Sequence, residues 1–325
     1  MTTFPLSRRD LLASLSSAAL VGLSASAAAA ENATPELIDV HLHIASSRLS
    51  RSTGNEALPE PFDQTLQPGG FERLGAQIAQ ELRGAGVTQG LCMPSTEISD
   101  ADPLGIQRSL TQAKHIAGVK LHAIGLAHPE RFDLDHLKRV EAVLESGAVK
   151  ALKAYLGYLH YDPYSVGYRA YFRLAAKYKI PVIFHTGDTN SERAKLKHAH
   201  PLAIDEIAVD FPHTNFVLAH FGNPWVLDAA QVMYKNPNVW VDLSAFLVGT
   251  AEQFATMHQS GVVERTVERV REGIEFVEAS DRFLFGSDWP LAPIAAYRDV
   301  VAKMFPANER AGVFADNAKR LFRLS

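Results

Sequence analysis

Five polar residues stand where their chemistry suits a metal ion. His41 and His43 lie in Ile38-Asp39-Val40-His41-Leu42-His43, His185 ends Pro181-Val182-Ile183-Phe184-His185, and His220 ends Phe216-Val217-Leu218-Ala219-His220. Asp288 follows Phe283-Leu284-Phe285-Gly286-Ser287. Imidazole nitrogens and a carboxylate make the mixed nitrogen and oxygen donor set that zinc accepts, and that manganese or iron also tolerates. Side chains alternate across a strand, so two histidines separated by one residue project to the same side. That spacing carries little weight alone, because histidines also serve in cores and on surfaces. The repetition carries more: each of these residues closes an apolar run.

The elements that must position them are legible in the hydrophobic pattern. From residue 36 onward, short runs rich in Val, Ile, Leu and Phe alternate with longer amphipathic segments, as expected for a parallel sheet wrapped by helices. The predicted strands are Leu37 to Ile44, Gln89 to Pro94, Leu121 to Ala127, Val149 to Leu156, Pro181 to Thr186, Phe216 to Phe221, Val239 to Leu243 and Phe283 to Ser287. Helices are predicted over Phe71 to Arg83, Asp135 to Glu145, Tyr168 to Tyr178, Pro201 to Phe211, Trp225 to Tyr234 and Val263 to Glu278, with Gly147 and Asn236-Pro237 as stops. Eight repeats without a compositional break predict an α/β fold, a single (β/α)8 TIM barrel within 31–325, plus an extra C-terminal helix over 307–322 packed outside it. An open doubly wound sheet would need a glycine-rich phosphate turn after the first strand, where His41-Leu42-His43 stands instead. In a parallel barrel the C-terminal strand ends meet on one face, the face that carries active sites, so the five polar residues are expected to converge there.

This ordered set, ending in Gly286-Ser287-Asp288-Trp289-Pro290, resembles the amidohydrolase superfamily, specifically the amidohydrolase-related group that also contains decarboxylases. The resemblance covers the chain from about residue 36. It implies that His41, His43, His185 and Asp288 ligate a divalent metal, with zinc first, manganese or iron as alternatives, and one ion rather than two. His220 would then lie beside the metal, either polarising the substrate or joining a second ion. Lys153 occupies the place where binuclear members carry a carboxylated lysine, while an ion-pairing or anion-binding lysine is the simpler reading. Asp39, two residues before the histidine pair and expected on the same strand face, either bonds to backbone groups or supports a ligand from behind.

A metal of this kind lowers the pKa of a bound water from about 15.7 to about 7 and polarises the group under attack. Asp288 is the expected acceptor of the water proton and its donor to the leaving group. His220 is expected to stabilise the oxygen on which charge develops. Hydrolysis of a C–N or C–O bond, in an amide or lactone of a small organic molecule, is therefore the expected reaction. Non-oxidative decarboxylation of a small, for instance aromatic, carboxylic acid is the nearest alternative, and a non-catalytic periplasmic metal- or ligand-binding barrel is the remote one, since fold does not guarantee activity.

Composition narrows the partners. A chain of 325 residues with 47% hydrophobic and 21% charged residues is long enough for a large core and is neither disordered nor collagen-like. A formal charge of −4 offers no footprint for nucleic acid or an anionic membrane. A small-molecule substrate is thus the expected partner, with a homo-oligomer left open. Cys92 is the one cysteine and sits in the apolar run Gly90-Leu91-Cys92-Met93, which reads as a buried hydrophobe and not a nucleophile.

Residues 1–30 read as an address. Paired Arg8 and Arg9 precede a chargeless Ala, Ser and Leu stretch ending in Ala25-Ser26-Ala27-Ala28-Ala29-Ala30, which resembles a twin-arginine signal peptide with a small-residue cleavage site. The stretch is weakly apolar for a membrane anchor. Cleavage near Ala30, a periplasmic mature protein and no stable membrane insertion afterwards are the expectations.

Specificity is expected from the loops above the strand ends. Ala45 to Gly70, rich in Pro, Gly and Ser, is either a lid or a surface excursion. Tyr155, Tyr158, His160, Tyr161 and Tyr164 either wall a ring-containing substrate or pack against helices. Arg193, Lys195 and Lys197 meet a substrate carboxylate or form a solvated face. Trp289-Pro290 is expected to shape the site and not to perform chemistry.

Overall fold

The structure, a computed structural model, describes residues 36–44, 69–189 and 191–325. The expected signal segment 1–30 and nearly all of the expected lid lie outside the described residues. Eight parallel strands follow one another around a sheet in chain order: β1 (Leu37–Leu42), β2 (Val87–Cys92), β3 (Lys120–Leu126), β4 (Val149–Ala154), β5 (Val182–Phe184), β6 (Phe216–Leu218), β7 (Val239–Asp242) and β8 (Phe283–Leu284). The seam between β8 and β1 is closed by Val40 N donating to Phe285 O at 3.0 Å and His43 N donating to Trp289 O at 2.9 Å. The fold is a TIM barrel. Among the described residues no helix is long and apolar enough to cross a membrane.

The strands from β5 onward end earlier than their apolar runs. Hydrogen bonding follows the ladder only while the backbone stays extended, and at these ends it turns to aim polar side chains. His220, Phe221, Ala245 and Asp288 all have positive φ, at 61°, 44°, 59° and 56°. Each costs on the order of 1–3 kcal/mol for a residue with a Cβ, strain that clusters at functional sites.

The first strand departs from simple alternation. Asp39 stands opposite Gly90 and Leu42 opposite Cys92, so three residues of β1 advance against two of β2. The extra residue is a β-bulge, a device that re-aims a side chain. Ile38 and Val40 belong to the apolar cluster inside the barrel, with Leu91, Ile124, Ile183 and Val217. Uninterrupted alternation from them would have turned His41 outward. The bulge resets the phase, so Leu42 joins the outer core against the helices and the histidines face inward. It also separates Asp39 from the face it was expected to share with them.

The chain's last helical segment, 310–322, corrects a second expectation. The expected extra helix is present, but only its start, Val313 and Phe314, packs with the outer core. Ala315, Ala318, Leu321 and Phe322 pack in the same cluster as the inward residues of the strands, so the segment plugs the end of the barrel opposite the histidines. Polar groups at the strand starts hold it there: Gln89 Nε2 donates to Ser325 O at 3.3 Å, Lys319 pairs with Glu36, and the Arg320 guanidinium lies 5.1 Å from the Trp240 ring centre. Sequence periodicity marks the helix but not which of two apolar surfaces receives it. Phe322→Ala should destabilise the fold by about 3–5 kcal/mol through loss of buried area and a residual cavity. Denaturant unfolding reads this, and bound metal at the distant mouth should be unchanged by elemental analysis.

Candidate metal centre

His41 is the middle of the site. Its Nδ1 lies 2.6 Å from Asp242 Oδ2, and its Nε2 lies 3.5 Å from Asp288 Oδ1. His43 Nε2 is 3.0 Å from the same Asp288 oxygen. Two ring nitrogens facing one carboxylate oxygen repel unless a proton or a cation stands among them. A tetrahedron with bonds near 2.1 Å separates its ligand atoms by about 3.4 Å, so the observed spacings suit a single ion held by His41, His43 and Asp288. The donor atoms of these three residues all lie within 4.8 Å of one another.

Asp242 was not singled out from the sequence, although it could have been. It ends the apolar run Val239-Trp240-Val241, as the other site residues end theirs, and Ser244 follows two residues later on the same face. Burial pushes the Asp242 carboxyl up, but the His41 charge and hydrogen bond, with His220 and Ser244, outweigh this and hold it well below the usual carboxylate range. An ionised Asp242 fixes the proton of His41 on Nδ1 and leaves the Nε2 lone pair able to ligate a metal, the carboxylate-to-histidine arrangement that orients metal ligands. Gly286 makes room for the pair: a Cβ there would lie 2.9 Å from Asp242 Oδ1 and 3.0 Å from His41 Cβ. His41, His220 and Asp242 form a second group with mutual spacing under 4.8 Å, but the 2.6 Å contact inside it is a hydrogen bond that supports the first group.

Asp288 is buried, and burial raises its carboxyl. His41, then the hydrogen bond and charge of His43, then His220 outweigh that and hold it well below the ordinary value, so it is ionised at neutral pH. Its turn is held by Ser287 N donating to Asp39 Oδ1 at 3.1 Å, and Asp39 also accepts from His41 N at 3.0 Å. Asp39 thus ties the β1 and β8 ends together through backbone groups. Burial raises its own carboxyl to about 7, with Asp242 adding to the rise and the Ser287 and His41 bonds opposing it.

His185 and His220 form the other half of the mouth. His220 Nε2 lies 3.2 Å from His185 Nδ1, and Thr186 Oγ1 donates to Ala219 O at 2.6 Å, locking the two strand ends together. His185 Nε2 meets Asp188 O at 3.0 Å. Among the described residues His185 is in neither close donor group. Burial, with the neighbouring histidines and Lys153, lowers His185 well below its usual value and His220 to about 3, so both rings are neutral at pH 7. Lys153 is fully buried on β4, its Nζ 5.4 Å from the Tyr155 ring centre.

A cavity of about 810 Å³ opens above these residues, a size suited to a small molecule. His185, His220 and Asp288 reach it, and its apolar wall is Ala245, Phe246, Val248, Leu291 and Pro293. The loop after β7, which supplies much of that wall, carries no sequence motif that marks it. Of the tyrosine cluster, Tyr158 lines the cavity and meets the His185 ring edge-on at 4.8 Å between centres, whereas Tyr155 is buried and bonds Pro94 O at 3.1 Å. Arg193, Lys195 and Lys197 are exposed, and Cys92 is buried with its thiol pushed up by burial and by Asp39. Trp289 is fully buried and donates from Nε1 to Glu81 at 2.7 Å. Glu81 itself lines the cavity, and burial raises its carboxyl against that hydrogen bond.

The sequence model of the amidohydrolase family matches residues 38–324. The chain belongs to the amidohydrolase family. Solved structures share its fold at low identity. The 5-carboxyvanillate decarboxylase of Sphingomonas paucimobilis is 13% identical over 90% of this chain and 100% of its own, with a TM-score of 0.60. A dihydroxybenzoic acid decarboxylase from Polaromonas, solved with bound manganese and 2-nitroresorcinol, is 12% identical over 89% of this chain and 97% of its own, with a TM-score of 0.58. The dihydroorotase of Campylobacter jejuni is 10% identical over 89% of this chain and 84% of its own, with a TM-score of 0.57. No curated protein matches the sequence.

In this amidohydrolase the Asp242 bond should govern how firmly the metal is held. Asp242→Asn removes the charge that fixes the His41 proton and is expected to weaken divalent-metal binding about 10–100-fold, read by competition with a chelating dye.

Proposed function

We propose that this amidohydrolase hydrolyses a C–N or C–O bond, in an amide or lactone of a small organic molecule, with one zinc ion held by His41, His43 and Asp288 and with His185 available as a further ligand if it leaves Asp188. The observation that carries the reading is Asp288, a carboxylate kept ionised beside two metal-facing nitrogens and open to the cavity. When bound, the metal supplies Lewis acidity and an acidified water. Asp288 takes the proton of the attacking water and returns it to the leaving nitrogen or oxygen. His220 donates to the oxygen on which charge builds. The loops after β7 and β8 bind the apolar part of the substrate and exclude bulk water.

Decarboxylation is the second reading, supported by the similarity to the 5-carboxyvanillate and dihydroxybenzoic acid decarboxylases. It needs a proton delivered to carbon, for which an ionised Asp288 is less suited than for accepting one from water. Product analysis on a panel of lactones, amides and aromatic acids separates the two: ring opening or amine release supports hydrolysis, and carbon dioxide without ring opening selects the decarboxylase. Persistent inactivity of the metal-loaded protein would favour the binding barrel. On a turned-over substrate, Asp288→Asn should cut kcat on the order of 10²–10⁴-fold; unchanged turnover with metal still bound removes Asp288 from the mechanism.

The twin-arginine-like segment places this activity in the periplasm in our reading. N-terminal sequencing of the mature protein from a periplasmic fraction should begin near residue 31; full-length protein confined to the cytoplasm contradicts it.

A further inference from the structure

Glu81 is a carboxylate without a matching cation. It reaches the mouth cavity from the helix Gly70–Gly84, which lies between β1 and β2, and it is half-buried there. Its hydrogen bond among the described residues comes from Trp289 Nε1, which donates to Oε1 at 2.7 Å. Trp289 is fully buried and directly follows Asp288, so the turn that carries the metal-facing carboxylate also fixes this second one. The indole N–H is neutral, and the only other influence on the Glu81 carboxyl is burial, which works against its charge. Buried carboxylates are ordinarily paired, and one left short of positive charge is costly. The missing partner can be supplied by what enters the cavity.

The rest of the wall is equally poor in positive charge. Its described residues include no lysine or arginine, and its acidic members are Glu81, Asp188 and Asp288. The helix Ala251–Gln259 begins at the cavity, where free amides could hold an anion, but its first turn is already capped. Thr250 Oγ1 accepts from Gln253 N at 3.4 Å, and Gln253 Oε1 accepts from Thr250 N at 2.7 Å. Glu252 adds a negative charge to the same turn. Arg193, Lys195 and Lys197 are exposed and do not belong to the described wall. We propose that Glu81 is a specificity-determining residue that accepts a cationic nitrogen of the substrate, an ammonium or amidinium group, and disfavours a substrate whose free end is a carboxylate. A charge-assisted bond of that kind is about twice as strong as a neutral one. This deepens the proposed function and rests on its premise that the cavity is the active site: the substrate is an amide or lactone with a basic nitrogen at the end away from the bond that is cleaved.

Benzamidine, benzamide and benzoate share a shape and differ in charge at neutral pH, so they isolate the effect. Each is titrated by calorimetry into the full chain loaded with zinc and into its Glu81→Gln variant, whose amide oxygen can still accept from Trp289. Benzamidine is expected to bind the unsubstituted chain and to lose affinity on the order of 10-fold in Glu81→Gln. Benzamide should bind both alike, and benzoate should gain affinity in the variant because a repelling charge has gone. A cooperative thermal transition reports that Glu81→Gln is folded. If it is not, Glu81→Asp, which withdraws the carboxylate by one methylene, carries the same expectation for benzamidine. Benzamidine affinity that is equal in the unsubstituted chain and the folded variant, or no benzamidine binding at all, overturns the proposal. Because binding needs no turnover, a benzamidine site that depends on Glu81 can stand in a protein that hydrolyses nothing. Conversely, hydrolysis of a neutral or anionic substrate that ignores Glu81→Gln upholds the reaction while this assignment fails.

Discussion

Two carboxylates are buried on opposite edges of one imidazole ring. Asp242 and Asp288 flank His41, and removing such groups from water costs several kcal/mol each unless charge and hydrogen bonds compensate. The protein supplies part of that compensation through the Nδ1 proton of His41, the backbone N–H of Ser244 and the ring of His43. The rest of the mouth is arranged around what remains: ring nitrogens and a carboxylate oxygen that can share a cation but cannot face one another at ease without one. The site is therefore a device for holding positive charge, and the fold around it can be understood as what keeps the donors from relaxing apart.

Keeping them together is a problem of aim. The donors belong to the first and last strands and to strands five to seven, and a regular pleat would send some of them into the helical layer. The chain solves this locally, with a bulge in β1 that turns His41 and His43 inward and with left-handed residues at His220 and Asp288 that swing those side chains off the ends of their ladders. Such conformations cost energy that regular strand ends would not, and they persist because both sides of the barrel over-determine them. Asp39 is the clearest case: one oxygen accepts the backbone of His41 and of Ser287, joining the two strained ends across the seam.

The barrel is also asymmetric along its axis. At the strand starts the C-terminal segment fills the interior with Leu321 and Phe322, and at the strand ends the interior gives way to the cavity. Burial at one end can supply stability while the other end stays open and polar. The cavity combines a polar floor of histidines and Asp288 with an apolar wall from the β7 and β8 loops.

The periodic apolar runs of the sequence by themselves determined the eight strands, their parallel order and the end of the barrel on which His41, His43, His185, His220 and Asp288 would meet, because alternation and strand-end position are local properties of the chain. Asp242 was within reach of the same argument, as the polar end of its own run. Other features were not legible. The pairing of β1 with β2 creates the bulge, so no reading of β1 alone contains it. The contacts of His220 with His185 at 3.2 Å and with Ser244 at 2.8 Å depend on groups brought together only by closure of the sheet. The destination of the last helix depended on which apolar surface was left uncovered once the strands had closed. Local pattern decides what an element is; only packing decides which neighbour fixes a proton, a rotamer or a seat, since those are set by distances between parts of the chain that have no fixed relation until it folds.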